Sequence, residues 1–301
     1  MSAPRITSSM ITRGVLADLN DVATRMTNTQ RKMSTGKELT RPSDDPFAVG
    51  RAIGLRTELD GLTQYRTNTA EAQAWTEASD TALGTLTDIA HRGRELLVRG
   101  ANGTASATDR KMIADEIDQL INSAKEDANA VQAGRALFSG TATGVRPYDM
   151  TSDTYHGDTG DVVRTIGPGV SVAVNVRASD VLGDGTDGKM INTLRDIAAH
   201  LRGGTTADQT ALSTTDVTAL DRSLDDLLTA RAHIGAVSSR LSAADGRLAD
   251  LEESSRGLLS KTEDADMAAT LVDYSMQQSV YQSALRAGAG IVQASLLDFL
   301  R

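Results

Sequence analysis

The chain has 301 residues and no cysteine, which excludes disulfide frameworks, thiolate metal sites and cysteine nucleophiles. Apolar side chains make up 40% of it but aromatic side chains only 3%, so a core must be built from aliphatic side chains along helix seams. The net charge of −9 argues against the basic surface that nucleic-acid binding needs. No apolar stretch of about 18 residues occurs, and residues 1–6 lack an apolar core, so we expect neither a membrane span nor a cleaved secretory signal.

Apolar residues near the N-terminus recur at alternating spacings of four and three, which is typical of a coiled-coil helix. The residues of this predicted seam are Val15, Leu19, Val22, Met26 and Met33, with Thr29 completing the spacing. Residues 1–41 carry seven basic and three acidic side chains, a net charge of +4. The pattern predicts a long, basic, amphipathic first helix.

Two prolines follow in the segment 41–46, where the first helix is expected to end and a second to begin. Asp44 or Asp45 is the expected N-cap, and Pro46 suits the first helical position. Residues 47–98 contain no proline and predict one very long helix. A glycine-containing turn over 100–106 leads to a further helix ending at Gly134, and a turn this short predicts an antiparallel pair.

The period of the pattern changes in the middle of the chain. Val170, Val172 and Val174 alternate with small or polar residues after a Gly-Pro-Gly turn, which predicts a β-hairpin. A short helix up to the glycines at 203–204 and a very long helix over 212–259 are expected to follow. The middle is therefore predicted to be a small β-rich insert between helical arms.

The C-terminal segment repeats the seam spacing over more than four heptads. Its predicted seam residues are Met267, Leu271, Tyr274, Gln278, Tyr281, Leu285, Gly288, Val292, Ser295 and Phe299, widened by Ile291 and Leu296. Residues 208–301 carry eight basic and 14 acidic side chains, a net charge of −6 that complements the N-terminal segment. We expect the two terminal helices to pair; the alternative is two separate surface helices that cap a globular core.

These elements predict a mainly α fold with a small β-rich insert, in which long antiparallel helices form a coiled-coil-like bundle. The expected division is an N-terminal helix of an inner domain at 1–42, a long-helix domain at 43–134 and 189–265, the insert at 135–188, and a C-terminal helix of the inner domain at 266–301.

Chemical motifs are scarce. Gly183, Gly185 and Gly188 match the dinucleotide-binding glycine pattern, but no parallel strand is expected after the following helix, so a surface loop is the favoured interpretation. The four histidines are isolated from one another, unlike zinc ligands, and no nucleophile, base and orienting group occur together. We expect no catalytic residue, cofactor or metal; a helical-bundle enzyme and a cytosolic coiled-coil scaffold are the alternatives.

Several segments resemble the bacterial flagellin family. The sequence MSTGKELTRPSDDPFA at 33–48 is similar to the family's N-terminal signature. The residues that carry this resemblance are Ser34, Gly36, Lys37, Pro42, Ser43, Asp44, Asp45 and Pro46. The segments at 101–110, 134–140 and 295–300 resemble the family's inter-helix turn, the strand entering its central domain and its closing helix. PSDDP at 42–46 and LLDFL at 296–300 favour the hook–filament junction branch, with a short filament flagellin as the alternative.

The resemblance implies a structural, non-enzymatic subunit of the flagellum. Its terminal helices would pair in an inner tube, the long helices would form a second layer, and the insert would face outward. The implied partners are further copies of the chain, hook-associated protein 1 on the hook side, flagellin on the filament side and a flagellar export chaperone, with no nucleic acid and no membrane. Secretion through the flagellar type III channel is also implied.

Overall fold

A computed structural model describes residues 8–299, apart from the side chains of residues 8–9, 11–12 and 290–299. Within that range the helices are α1 Ser8–Thr35, α2 Pro46–Gly100, α3 Ala107–Ala128, α4 Ala178–Val181, α5 Met190–Gly203, α6 Thr206–Ser213, α7 Thr215–Glu263 and α8 Met267–Phe299. The strands are β1 Val131–Gln132, β2 Arg135–Ala136, β3 Val163–Gly167 and β4 Val170–Ala173. The expected mainly α fold with a small β insert is confirmed.

The chain divides into two compact units, Met1–Gly61 with Glu252–Arg301, and Leu62–Leu251. In the first unit α1 packs against α8, which confirms the predicted pairing of the terminal helices. None of the described helices is long and apolar enough to span a lipid bilayer. The division into five sequence segments stays a prediction.

Capping residues set the helix starts. Asp45 Oδ1 accepts hydrogen bonds from the backbone N–H groups of Phe47 and Ala48, both at 3.0 Å, and Pro46 takes the first position of α2 as expected. A capping box joins Ser106 and Asp109 at the start of α3. At the start of α8, Asp266 Oδ1 accepts from two backbone N–H groups. These caps satisfy donors that a helix start leaves unpaired.

In the second unit α2 and α7 run antiparallel and are joined by ion pairs. Residue numbers in these pairs increase along α2 while they decrease along α7, as in Arg66–Asp245, Asp80–Arg231 and Arg94–Asp221. The core between the helices is aliphatic; fully buried members include Leu83, Leu97, Ile117, Ile121, Leu194, Ile197, Leu227 and Leu241. This composition matches the low aromatic content of the sequence.

The predicted β-hairpin is confirmed, since β3 pairs antiparallel with β4 around a turn in which Gly169 has a φ of +68°. Val172 and Val174 are buried, but Val170, predicted to share their face, is exposed beside the turn. Val163 pairs with Ala173, on the opposite face from Val172, and is exposed. The hairpin is tied to α2 through Asn68 Nδ2, which donates to the carbonyl oxygen of Thr165 at 2.9 Å.

Two predicted helix boundaries were wrong. The helix expected to end at Gly134 ends at Ala128, because Asn129 leaves the helical conformation at φ −83° and ψ 11°. The chain then enters the hairpin β1–β2, whose turn residues Ala133 and Gly134 have positive φ values of 50° and 76°. The helix expected over 212–259 is two helices, α6 and α7, because Thr214 leaves the helical conformation at φ −127° and ψ −71°.

The glycine pattern lies in the loop between α4 and α5. Gly183, Gly185 and Gly188 all have positive φ, at 85°, 85° and 74°. Both sheets in the described part of the chain are two-stranded and antiparallel, so the parallel unit that a dinucleotide site requires is missing there. Asp184 and Asp187 accept hydrogen bonds from the loop's own backbone. The interpretation as a surface loop agrees with this geometry.

A buried ion pair links α3 to the insert. The Lys125 side chain is 1% exposed, and its Nζ donates to Asp153 and, at 2.8 Å, to the carbonyl oxygen of Ser152. Asp153 also accepts from Arg195 of α5 at 2.9 Å, and Arg195 reaches Asp118 of α3 at 2.9 Å. Hydrogen bonds from Arg195 and then from Lys125 lower the pKa of Asp153 despite its partial desolvation.

Candidate assembly interface

The α1 half of the terminal pair follows the predicted spacing. Val15, Leu19, Val22, Met26 and Met33 are all half-buried. Thr29, which completes the spacing, is buried, and its Oγ1 donates to Gln277 Oε1 of α8 at 3.1 Å. The half-buried side of α1 is therefore the side named from the sequence.

The α8 half of the pair uses a different set of residues. Its buried and half-buried positions are Thr270, Tyr274, Gln277, Tyr281, Ala284 and Gly288. They keep the alternating spacing of four and three. Thr270, Gln277 and Ala284 take the places of the predicted Leu271, Gln278 and Leu285, one position earlier in the chain. Tyr274, Tyr281 and Gly288 are shared with the prediction. Small side chains at 284 and 288 allow close approach, and a Cβ on Gly288 would lie 3.1 Å from Val15 Cγ1.

Four predicted seam residues of α8 lie outside the seam of the pair. Met267, Leu271 and Leu285 are exposed to 47%, 56% and 46%, and Gln278 is also exposed. The seam uses other positions because α8 is apolar on more than one side, so its sequence allows more than one seam. The side chains of Val292, Leu296 and Phe299 lie outside the described residues.

The exposed apolar residues of α8 lie outside the seam in two rows, which together we call the outer stripe. Val272, Met276 and Val280 follow one another at a spacing of four on the side away from the seam. Met267, Leu271 and Leu285 lie beside the seam. Isolated exposed apolar residues are ordinary on protein surfaces, but exposed apolar residues along most of one helix mark an interaction surface.

A short backbone pairing, which we call the clamp, joins the segment 36–38 after α1 to the segment 263–265 between α7 and α8. Glu38 N–H donates to the Glu263 carbonyl at 2.7 Å, and Ala265 N–H donates to the Gly36 carbonyl at 3.0 Å. Gly36 has a φ of +68° and ends α1 through a hydrogen bond from its N–H to the Lys32 carbonyl at 2.8 Å. Gly36 of the family signature thus turns the chain into the clamp.

Charged side chains reinforce the clamp around one carboxylate. The Glu263 side chain is 7% exposed and forms ion pairs with Lys37 and with Arg56 of α2. Lys37 Nζ also contacts Asp264 Oδ1 at 2.7 Å. Hydrogen bonds from Lys37 first and Ser260 second lower the pKa of Asp264, while Asp264 and Glu263 raise the pKa of Lys37. The opposite charges of the two terminal segments therefore meet at the clamp.

The rest of the signature orders the loop that enters α2. Asp44 Oδ2 accepts from the N–H groups of Thr40 and Arg41 at 3.2 Å and 2.8 Å, and these hydrogen bonds lower the pKa of Asp44. Asp45 is the cap of α2. Ser34, Pro42, Ser43 and Pro46 are exposed. The two aspartates thus act on the local backbone, and among the described residues no group of His, Asp and Glu is arranged to hold a metal ion.

Comparison with known proteins agrees with this geometry. Residues 6–143 match the bacterial flagellin N-terminal helical region, and residues 217–300 match the bacterial flagellin C-terminal helical region. The chain belongs to the bacterial flagellin family. The two matched regions contain both terminal helices and the signature at 33–48, which confirms the resemblance seen in the sequence.

Relatives within the family favour its hook-associated branch. The chain is 26% identical to flagellar hook-associated protein 3 of Salmonella typhimurium over 99% of this chain and 100% of the relative. It is 27% identical to the flagellar filament 33 kDa core protein of Treponema phagedenis over 90% of each. A solved structure of a putative flagellar hook-associated protein from Vibrio parahaemolyticus matches with a TM-score of 0.67 and 24% identity, over 73% of this chain and 100% of that one. The hook-associated interpretation fits these findings better than the filament-flagellin alternative.

Proposed function

We propose that the chain is a hook–filament junction subunit of the bacterial flagellum, corresponding to hook-associated protein 3. The observation that carries the proposal is the end-to-end alignment with the Salmonella protein of that name. The proposed role is to present one contact surface to the hook side and another to the flagellin filament. Repeated head-to-tail contacts produce an open helical tube, rather than a closed ring, when the rotation between neighbouring subunits does not close on itself.

The terminal pair supports a role in assembly. Its inner seam is filled within one subunit, whereas the outer stripe of α8 has no apolar cover within the described chain. Burial of one such side chain stabilises a contact by about 1.5–3 kcal/mol. We therefore propose that the outer stripe, which includes Leu271 and Leu285, contacts a neighbouring subunit.

We further propose that the chain is exported through the flagellar channel with the help of an export chaperone and acts outside the cell. In this proposal its partners are copies of itself, hook-associated protein 1 on the hook side and flagellin on the filament side. It uses no cofactor and catalyses no reaction. These statements rest on membership of the family and on the hook-associated relatives.

Deletion of the gene tests the proposal and separates it from the filament alternative. The expected result is hooks without filaments in electron micrographs, together with flagellin lost to the medium on an immunoblot. Hooks without filaments and without released flagellin would show instead that the chain is the filament subunit. Normal filaments would overturn the proposed role.

A further inference from the structure

A cleft in the unit Leu62–Leu251 lies apart from the terminal pair. It has a volume of about 330 Å³ and is walled by α2, the hairpin β1–β2 and strand β3. Glu71, Ala74 and Trp75 come from α2, while Arg135 and Arg164 come from the hairpin and from β3. This volume lies at the lower end of the range of small-molecule sites, which is about 300–1,000 Å³.

Two guanidinium groups line the cleft with little compensation. Arg135 is exposed, and its guanidinium group has no hydrogen-bond or ion-pair partner among the described residues. The Arg164 side chain is 26% exposed, and its ion pair, with Glu71, is long at 4.0 Å. Most other arginines of this unit have closer carboxylate partners, as in Arg94–Asp221 at 2.8 Å. The cleft is thus locally positive in a chain whose net charge is −9.

The third feature is a buried donor in the wall. Trp75 is 5% exposed, and its Nε1–H has no acceptor among the described residues. A buried donor left without a partner costs about 1–3 kcal/mol, but this N–H is itself out of contact with solvent, so a ligand in the cleft would meet the indole as an apolar wall. Ala74 and the indole ring provide an apolar wall beside the donors.

We propose that this cleft binds an organic carboxylate. A carboxylate is planar and accepts paired hydrogen bonds from a guanidinium, which matches the donor set of Arg135 and Arg164. A neutral ligand would leave Arg135 without a counter-charge and Arg164 with the long pair to Glu71 alone, and a cationic ligand would be repelled by both guanidinium groups. The carboxylate belongs either to a free small acid or to a glutamate or aspartate side chain of a peptide.

Trp75 is the one tryptophan in the sequence, so its fluorescence reports on the cleft in the full-length protein. The probes are succinate for a free acid and a triglutamate peptide for a protein segment, each against sodium chloride of equal ionic strength. We expect a saturable change with at least one carboxylate, with a Kd of about 1 mM. The tighter of the two probes identifies the source of the carboxylate.

Variants locate the binding. The double variant Arg135→Gln, Arg164→Gln is expected to weaken binding about tenfold or more, whereas Arg146→Gln, an exposed arginine outside the cleft, changes it less than twofold. Absence of saturation with both carboxylates, an equal response to salt, or unchanged affinity of the double variant would overturn the proposal.

Discussion

Gly288 of α8 lies against Val15 of α1 so closely that a Cβ on the glycine would come to 3.1 Å from Val15 Cγ1. The terminal helices therefore depend on the absence of a side chain at this position. Contacts this short require one partner to move, and overpacking of this kind costs about 1–3 kcal/mol.

Gly288→Val is expected to separate the terminal pair. Hydrogen exchange measured on α1 should become faster, and swimming in soft agar should decrease. Gly14→Val is the matched control, because a Cβ on Gly14 meets nothing within 4 Å. Equal effects of the two valines would mean that the contact with Val15 is not responsible, because valine is a better helix former than glycine at both positions.

Removal of both cations from Glu263 should destabilise the clamp. Lys37→Met with Arg56→Met leaves a carboxylate that is 7% exposed without its ion-pair partners, at an expected cost of about 2 kcal/mol in the free energy of unfolding. Adding Glu263→Gln should restore part of that loss in urea denaturation. Lys32→Met, which breaks the exposed pair with Glu38, should cost less than about 0.5 kcal/mol.

The buried pair of Lys125 and Asp153 should be sensitive to which partner is removed. Asp153→Ala leaves the Lys125 ammonium buried without its carboxylate, at an expected cost of about 3 kcal/mol, whereas Lys125→Met removes the buried charge itself and should cost less. Urea unfolding followed by Trp75 fluorescence measures both. Asp161→Ala, at an exposed pair 3.9 Å long, is the control.

Acid should weaken the same network. The pKa of Asp153 is lowered in the folded protein, chiefly by Arg195, so its carboxyl stays ionised at pH values where the unfolded chain binds a proton. Its contribution is therefore complete above the unfolded pKa of 3.8 and is lost as the pH falls through the lower folded pKa. Between about pH 5 and pH 3 the free energy of unfolding should fall more steeply in the natural protein than in Asp153→Asn. A parallel decline in both proteins would contradict the assignment.

The outer stripe should matter for assembly more than for folding. Leu271→Gln with Val280→Gln changes two exposed side chains, so the thermal unfolding midpoint of the isolated chain should stay nearly constant. The same variant should reduce the number of filaments per cell in a complemented deletion strain. Val163→Gln with Leu228→Gln, two exposed apolar residues of the other unit, should leave that number unchanged.

The sequence predicted α1 better than α8 because α1 has one apolar side. Val15, Leu19 and Met26 lie where the spacing placed them. On α8 the apolar residues occupy more than one side, so the spacing placed Tyr274, Tyr281 and Gly288 correctly but also selected Leu271 and Leu285, which are exposed. Which side of α8 pairs depends on the surface that α1 presents, and the spacing of apolar residues alone does not determine it.

Other features were missed for identifiable reasons. The break at Thr214 carries no glycine or proline to mark it, and the turn at 133–134 lies directly after a helical pattern. Lys37 and Glu263 are 226 residues apart, so their ion pair follows from the tertiary fold alone. The signature residues were recognised by resemblance, and their hydrogen bonds now give Gly36, Asp44 and Asp45 a physical role.

Immunogold electron microscopy of a tagged, functional copy tests the central claim most directly. We expect gold label confined to the boundary between hook and filament, with the filament itself unlabelled. Label spread along the filament would contradict it and would make the chain a filament subunit. Label restricted to the cell body would show that the chain is not part of the flagellum.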